Sequence, residues 1–165
     1  MDAIECIKTR RSTRSFLSQN IPDSILYNII DTATYTPSAK NCQPWKIKII
    51  NNPETINSFS KLLKHSFWIK NAPCIIIVFL DKKNSYQYIK GVQACGAFIQ
   101  NILLTSNYYN IGSCWIGEIC SKEKAVKQLL DISNKNLKLM GIIALGNIKR
   151  KSSTPYKRPI KEIII

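Results

Sequence analysis

Arginines and hydroxyl side chains are concentrated in one short stretch near the start of the chain. Residues 10–16 read RRSTRSF, so three of the five arginines in the protein lie beside two serines and a threonine. A guanidinium group can bind two phosphate oxygens through parallel hydrogen bonds, and hydroxyl groups donate to the same kind of oxygen. The composition of this stretch therefore predicts a site for an anion such as a phosphate, with a solvated basic loop as the alternative.

A second polar stretch lies in residues 36–47, which read TPSAKNCQPWKI. Asn41 and Gln43 carry carboxamides, whose paired donor and acceptor groups can recognise the edge of a heterocyclic ring. An ordinary loop between a helix and a strand is the alternative interpretation. Near the other end of the chain, Arg158 is a further isolated arginine that could join a phosphate site.

Several kinds of catalytic site are excluded by what the sequence lacks. His65 is the single histidine, which argues against a histidine-rich metal site and leaves no metal site predicted. The chain contains no G-x-S-x-G, H-E-x-x-H, G-x-G-x-x-G or P-loop sequence. A chain without such groups can still be an enzyme if an organic cofactor carries the chemistry.

Five motifs, in order along nearly the whole chain, together resemble one known family. They are R-R-S-x-R-x-F at 10–16, P-S-x-x-N-x-Q-P-W at 37–45, W-I-K-N-A-P at 68–73, C-W-I-G at 114–117 and R-P-I-K-E-I at 158–163. This set resembles the FMN-dependent nitroreductase family. The resemblance implies an α+β fold with a central mixed β-sheet flanked by helices. It also implies a homodimer with FMN at the subunit interface and a C-terminal strand exchanged between the subunits.

The same resemblance implies a set of residues that contact FMN. These are Arg10, Arg11, Ser12, Arg14, Pro37, Ser38, Asn41, Ile116, Gly117 and Arg158. Within this set, the four residues from Arg10 to Arg14 would hold the phosphate, the ribityl chain and the pyrimidine edge. Arg158 would complete the phosphate site. The residues from 37 to 41 would reach the flavin from the other subunit. Ile116 and Gly117 would lie beside the isoalloxazine ring and donate a backbone N–H towards N5.

The activity implied by the resemblance is that of an NAD(P)H-dependent flavin oxidoreductase. In a ping-pong reaction, NAD(P)H would pass hydride to the flavin, and a nitroaromatic, a quinone or a similar electron-poor substrate would then accept it. The chain departs from the family where Asn147-Ile148 follows MGIIALG, and it lacks room for the insertion that covers the flavin in longer members. An FMN-binding protein with a role in flavin storage, sensing or specialised flavin chemistry is therefore the alternative.

The overall composition gives weaker indications. Lysine and arginine number 24 against 10 acidic residues, a net charge of +14 that favours anionic partners, and a nucleic-acid-binding protein is a further alternative. The basic residues are dispersed and follow no nucleic-acid-binding motif, so neither nucleic acid nor a membrane is the predicted partner. Six cysteines without a C-x-x-C pair, and no apolar signal region, predict free thiols and a cytoplasmic protein.

The elements that must position these residues follow from hydrophobic spacing. Helices are predicted at about 2–9, 22–36, 53–64, 85–109 and 121–132, and strands at about 45–50, 74–81, 112–117 and 139–148. We expect one domain over residues 1–165. Within it, residues 148–165 would form an extended tail ending in the apolar segment IKEIII, which must pair with another strand.

Overall fold

The computed structural model describes residues 1–165 and contains five α-helices and four strands. The helices are α1 (Ala3–Thr9), α2 (Asp23–Thr34), α3 (Pro53–Ser60), α4 (Tyr88–Tyr108) and α5 (Glu123–Leu129). The strands are β1 (Trp45–Ile50), β2 (Cys74–Asp81), β3 (Ile111–Ile116) and β4 (Leu137–Asn147). Short 3₁₀ turns cover Ala39–Asn41, Phe67–Asn71, Glu118–Lys122 and Ile160–Glu162. The predicted elements before the tail are thus confirmed, with small shifts at their ends.

The four strands form one sheet in the order β1-β2-β4-β3. Each neighbouring pair is antiparallel, so the prediction of a mixed sheet was wrong for these strands. The reason is that β4 lies between β2 and β3 and runs antiparallel to both. β2 and β3 therefore point in the same direction but are not neighbours in the sheet. The one parallel pairing is an isolated bridge between Ser12 and Ser113.

The sheet is covered on both faces, which explains the uninterrupted apolar sequence of β2, where all eight residues are buried. On one face, α4 packs against β2 and β4, α2 packs against α4, and Trp45 stacks on Phe98 with 4.9 Å between the ring centroids. On the other face, α3 and α5 contribute Ile56, Phe59 and Val126 to a second buried cluster. The α+β fold with a helix-flanked central sheet is therefore confirmed.

The C-terminal tail lies largely exposed beside this body. Its end forms a single 3₁₀ turn, and Ile160, Ile163, Ile164 and Ile165 are all exposed. The terminal strand expected from the sequence is not formed within one chain, because this segment has no strand partner there. Its exchange between subunits stays a prediction.

All six cysteines are free, as the sequence predicted. Four of them are buried, and burial raises the pKa of both the Cys74 and the Cys95 thiol to about 12. None of the helices has the length and apolar character that crossing a membrane requires.

Candidate functional site

The basic loop, which we define as residues 10–16, lies along the edge of the sheet. Its N-terminal half runs beside β3, where the Thr13 backbone N–H donates to the Ser113 carbonyl at 2.9 Å. Its C-terminal half reaches the end of β4, where Phe16 forms an antiparallel bridge with Ile148. The loop is therefore held against two strands, although it belongs to neither.

Close packing requires a glycine at the contact between this loop and β3. A Cβ atom added to Gly112 would lie 2.8 Å from Thr13 Cγ2, 2.9 Å from Thr13 Cβ and 2.8 Å from Ile148 Cγ1. Real Cβ atoms do not approach other heavy atoms so closely, so Gly112 allows the basic loop to sit on the strand.

A polar cavity of about 360 Å³ opens at the start of the basic loop. Its lining includes Arg10, Arg11, Thr13, Ser113, Lys151 and Ser152. The cavity thus joins the basic loop to β3 and to the segment that follows β4. Its size and its cationic lining suit a polar anionic group.

The three arginines of the loop have different surroundings. The Arg11 guanidinium donates to the carbonyls of Lys8 and Arg10 at 2.7 and 2.8 Å, so it caps the C-terminus of α1. Neither Arg10 nor Arg14 makes an ion pair, because both ion pairs of the chain are made by Glu123 with lysines. Arg10 and Arg14 are thus the arginines of the loop whose guanidinium groups remain available to a ligand.

The electrostatic effect of these two arginines reaches β3. Burial raises the pKa of the Cys114 thiol, whereas the Arg14 cation, the Ser12 hydroxyl and the Arg10 cation each act to lower it. Both guanidinium groups therefore act electrostatically on Cys114, which lies in the middle of β3.

Sequence reasoning missed the segment after β4 as part of this site. The Ser152 hydroxyl donates to the Ser12 carbonyl at 2.8 Å, and the Lys149 N–H donates to the Ser15 carbonyl at 3.0 Å. A second polar cavity, of about 320 Å³, lies here and has no hydrophobic residue in its lining. The residues around it are Arg14, Ser15, Arg150, Lys151, Ser152 and Ser153. The run KRKSS at 149–153 was the available signal, but its pairing with the basic loop cannot be read from local sequence.

Ile116 and Gly117 lie where β3 ends. Ile116 is buried in the core, while Gly117 is exposed and an added Cβ there would meet no heavy atom within 4 Å. Just beyond, the Glu118 carboxylate accepts hydrogen bonds from the backbone N–H groups of Lys64 and His65, which tie the loop after α3 to this strand end. Gly117 therefore offers an open backbone surface on a fixed support.

Pro37, Ser38 and Asn41 lie elsewhere in the chain. Pro37 and Ser38 line a cavity of about 390 Å³ against the N-terminal half of α4, where Gln93 is a neighbour. Asn107, near the other end of α4, lines the cavity at the basic loop instead. Gln93 and Asn107 are 14 positions apart, which corresponds to about 21 Å of helix, so one chain does not bring the two groups together.

Arg158 is also separate from the basic loop within one chain. It lies exposed in the tail and takes part in no hydrogen bond or ion pair. The structure therefore gathers Arg10, Arg11, Ser12 and Arg14 into one region, with Ile116 and Gly117 at the end of the adjoining strand. It leaves Arg158 and the 37–41 loop apart.

The residues of the basic loop fit a group such as FMN. The test is chemical: two unpaired guanidinium groups and several hydroxyls surround polar cavities, and the cavity with Arg150 has no apolar lining. A phosphate dianion and a hydroxylated chain would satisfy these donors.

Comparisons with known proteins identify the family of the chain. A sequence model of the family described as "Putative TM nitroreductase" matches residues 2–165. A protein of Archaeoglobus fulgidus named "Putative NADH dehydrogenase/NAD(P)H nitroreductase" is 35% identical over 148 residues, covering 86% of this chain and 84% of its own length.

Solved structures of proteins with nitroreductase or oxidase names also resemble the chain. A crystal structure from Desulfovibrio desulfuricans, described as "a putative nitroreductase in complex with fmn", has a TM-score of 0.92 and 27% identity, covering 98% of this chain and 94% of its own. The structure of a protein from Clostridium acetobutylicum named "Putative NADH Oxidase" has a TM-score of 0.88 and 25% identity, with 97% of each chain covered. On the evidence of sequence and fold together, the chain belongs to the nitroreductase family, a family of oxidoreductases.

Proposed function

We propose that the protein is an FMN-dependent NAD(P)H oxidoreductase that reduces nitroaromatic, quinone or similar electron-poor substrates. The observation that carries this proposal is the pair of unneutralised arginines, Arg10 and Arg14, beside the polar cavities at the edge of β3. Membership of the nitroreductase family and the FMN complex of a relative support the choice of cofactor.

Each part of the basic loop would make a different contribution to cofactor binding. Arg10, Ser12 and Arg14 would hold the phosphate, the ribityl chain and the pyrimidine edge. Arg11 would act mainly through its main chain, because its side chain caps α1. We add Lys151 and Ser152 to this group, since they line the same cavity as Arg10 and Ser152 is hydrogen-bonded to Ser12.

The bound FMN would supply the redox chemistry by accepting hydride from NAD(P)H and delivering it to the acceptor. The protein would orient the ring through Ile116 and Gly117, whose position at the end of β3 leaves the backbone open. The Arg10 and Arg14 cations would stabilise the negative charge that reduction places on the ring. No side-chain acid is required by this scheme, since water can supply protons.

A homodimer would complete the site. Pro37 and Ser38 lie against the N-terminal half of α4, far from the basic loop of their own chain, and Asn41 lies in the turn that follows them. These three residues would therefore come from the partner subunit, and the exposed Arg158 would join the phosphate site. β3 is an edge strand, and on its outer side it forms only the single bridge between Ser113 and Ser12. The other backbone groups on that side would be free to pair with a strand from the partner's tail. The ten residues from 150 to 159 can extend over about 30 Å, enough for such an exchange.

We further propose that residues 1–165 form a single flavin-binding domain with residues 148–165 as its exchanged tail, and that the protein acts in the cytoplasm. The six free cysteines support a reducing compartment. Light scattering of the purified protein would test the dimer. Removal of residues 160–165 should shift it towards monomers and lower its FMN content.

The visible spectrum tests the proposed activity. The purified protein, or the protein mixed with FMN and separated from free FMN, should absorb near about 450 nm and bleach when NADPH is added without oxygen. Arg10→Ala and Arg14→Ala should each weaken FMN binding by about tenfold or more, because each removes a charge-assisted hydrogen bond.

The matched control is Lys135→Ala, which removes an exposed lysine outside every cavity described above. This control should leave FMN binding unchanged. A protein that takes up no FMN would refute the cofactor assignment. A yellow protein that reduces no quinone or nitroaromatic substrate would favour the alternative of an FMN-binding protein with another role.

A further inference from the structure

The cavity with the largest volume among those described here is not one of those assigned to FMN. It measures about 560 Å³ and lies on the far side of the basic loop, where Phe16, Ala72 and Pro73 contribute to its wall. We call it the amide cavity, after the residues that mark it: Arg14, Asn20, Asn51, Lys70, Asn71 and Lys149. Three are cations and three carry carboxamides, and no carboxylate lines it.

These polar side chains have no partners within the protein. None of the three cations forms an ion pair, and none of the three carboxamides of Asn20, Asn51 and Asn71 makes a side-chain hydrogen bond. Helix α3 begins at Pro53 on the same wall, which adds the partial positive charge of a helix N-terminus. The nearest acidic residue in sequence, Glu54, is outside the lining. The amide cavity therefore presents net positive charge together with several neutral donors and acceptors.

The walls of the amide cavity are rigidly built. Phe16 is buried, its backbone is bridged to Ile148, and the Lys149 N–H donates to the Ser15 carbonyl. A Cβ added to Gly146 would lie 2.6 Å from the Pro73 side chain and 3.0 Å from that of Phe16, so these three residues are in close contact. Packing on the sheet thus fixes the apolar part of the wall, while the six polar residues that mark the cavity are exposed.

Arg14 connects this cavity to the candidate cofactor site. Arg14 lines both the amide cavity and the polar cavity of about 320 Å³ that contains Arg150 and Ser152. Its charge acts to lower the pKa of the Cys114 thiol. A long ligand could therefore have one end at the cofactor site and the other in the amide cavity.

We propose that the amide cavity binds the adenosine 2′-phosphate end of NADPH and makes NADPH the preferred electron donor over NADH. This inference rests on the proposed function. The two dinucleotides differ only in the 2′-phosphate, a monoester that carries close to two negative charges at neutral pH. Lys70 and Lys149 would pair with that phosphate, and the carboxamides would hydrogen-bond the adenine edge.

Kinetics of the FMN-loaded protein provide the first test. With a quinone as acceptor, kcat/KM should be at least about tenfold higher for NADPH than for NADH. Lys70→Ala and Lys149→Ala should each reduce this ratio by about fivefold, the effect of removing one partly exposed charge partner. Both variants should retain bound FMN, and Lys135→Ala, an exposed lysine beyond the opposite end of β4, should change neither quantity.

Direct binding to the FMN-loaded protein provides a second test that does not depend on turnover. By calorimetry, adenosine 2′,5′-diphosphate should bind at least about tenfold more tightly than adenosine 5′-diphosphate, and each lysine variant should reduce this difference by about fivefold. Equal affinities, or equal kcat/KM values for NADPH and NADH, would overturn the proposal. So would loss of FMN from the lysine variants, since the amide cavity would then belong to the flavin.

Failure of the proposed function gives a different result. In that case neither dinucleotide would be oxidised. The calorimetric comparison would still test the amide cavity: tighter binding of adenosine 2′,5′-diphosphate would support the assignment, and equal affinities would overturn it.

Discussion

Replacement of Gly112 by alanine should separate the basic loop from β3. The added Cβ would approach Thr13 Cβ to 2.9 Å and the Ile148 side chain to 2.8 Å. Thr13 cannot avoid this contact by a side-chain rotation alone, because its Cβ is fixed to a backbone whose N–H bonds to the Ser113 carbonyl. The loop itself must therefore move.

The cost can be estimated from two contributions. Inserting a methyl group into packed structure costs about 1–3 kcal/mol, and weakening the Thr13 to Ser113 hydrogen bond adds about 0.5–1.5 kcal/mol. For a domain of this size, each kcal/mol lowers Tm by about 2–4 °C. We therefore expect Gly112→Ala to lower Tm by about 3–18 °C and to weaken FMN binding, because Arg10 and Arg14 lie on either side of Thr13.

Gly117→Ala is the matched control for stability. An added Cβ at Gly117 would meet no heavy atom within 4 Å, and the backbone φ of −83° is one that alanine adopts readily. Its Tm should stay within about 2 °C of the wild type. Thermal unfolding of both variants at one fixed protein concentration, with FMN content read from the visible spectrum, makes the comparison. Equal Tm values for the two variants would refute the argument that the loop depends on Gly112.

Three further predictions follow from other contacts. Gly141 has φ +148°, and an added Cβ would lie 2.5 Å from the Trp115 indole nitrogen, so Gly141→Ala should destabilise the fold by about 1–3 kcal/mol and shift the tryptophan fluorescence. Because burial raises the pKa of Cys74 and Cys95 to about 12, iodoacetamide at pH 8 should leave both unlabelled in the native protein and label both after unfolding, as read by mass spectrometry. At Glu118, slight burial raises the pKa but the backbone N–H groups of the loop after α3 outweigh it, so the net pKa is lowered. Its stabilising effect should be complete above the ordinary carboxyl pKa and disappear as the pH falls through the lowered value, and urea unfolding between about pH 6 and pH 3 should show a smaller acid loss for Glu118→Gln than for the wild type.

The elements of the fold could be predicted because each has a local cause. The alternation of Trp45, Ile47 and Ile49 with lysines gives a strand, and the apolar sequence CIIIVFLD gives a strand buried on both faces. Pro53 after the capping residue Asn52 marks the start of α3. These signals act over a few residues, so the sequence alone contains them.

The arrangement of those elements could not be predicted in the same way. Whether the sheet is mixed depends on which strand lies between β2 and β3, and this is decided by packing over the whole chain. The tail has the composition of a strand, yet forming one requires a partner that a single chain does not supply. The hydrogen bond from Ser152 to Ser12 joins residues 140 positions apart, and no local sequence pattern indicates it.

The basic loop shows most clearly how structure refines a motif. In the sequence, Arg10, Arg11 and Arg14 are equivalent candidates for an anion. In the fold, the Arg11 guanidinium donates hydrogen bonds to backbone carbonyls at the C-terminal end of α1. Arg10 and Arg14 make no such hydrogen bonds and have no acidic partner. A chain with a net charge of +14 and two ion pairs keeps such cations close together only against mutual repulsion. A bound phosphate would relieve that repulsion, so FMN should stabilise the protein more at low salt than at high salt.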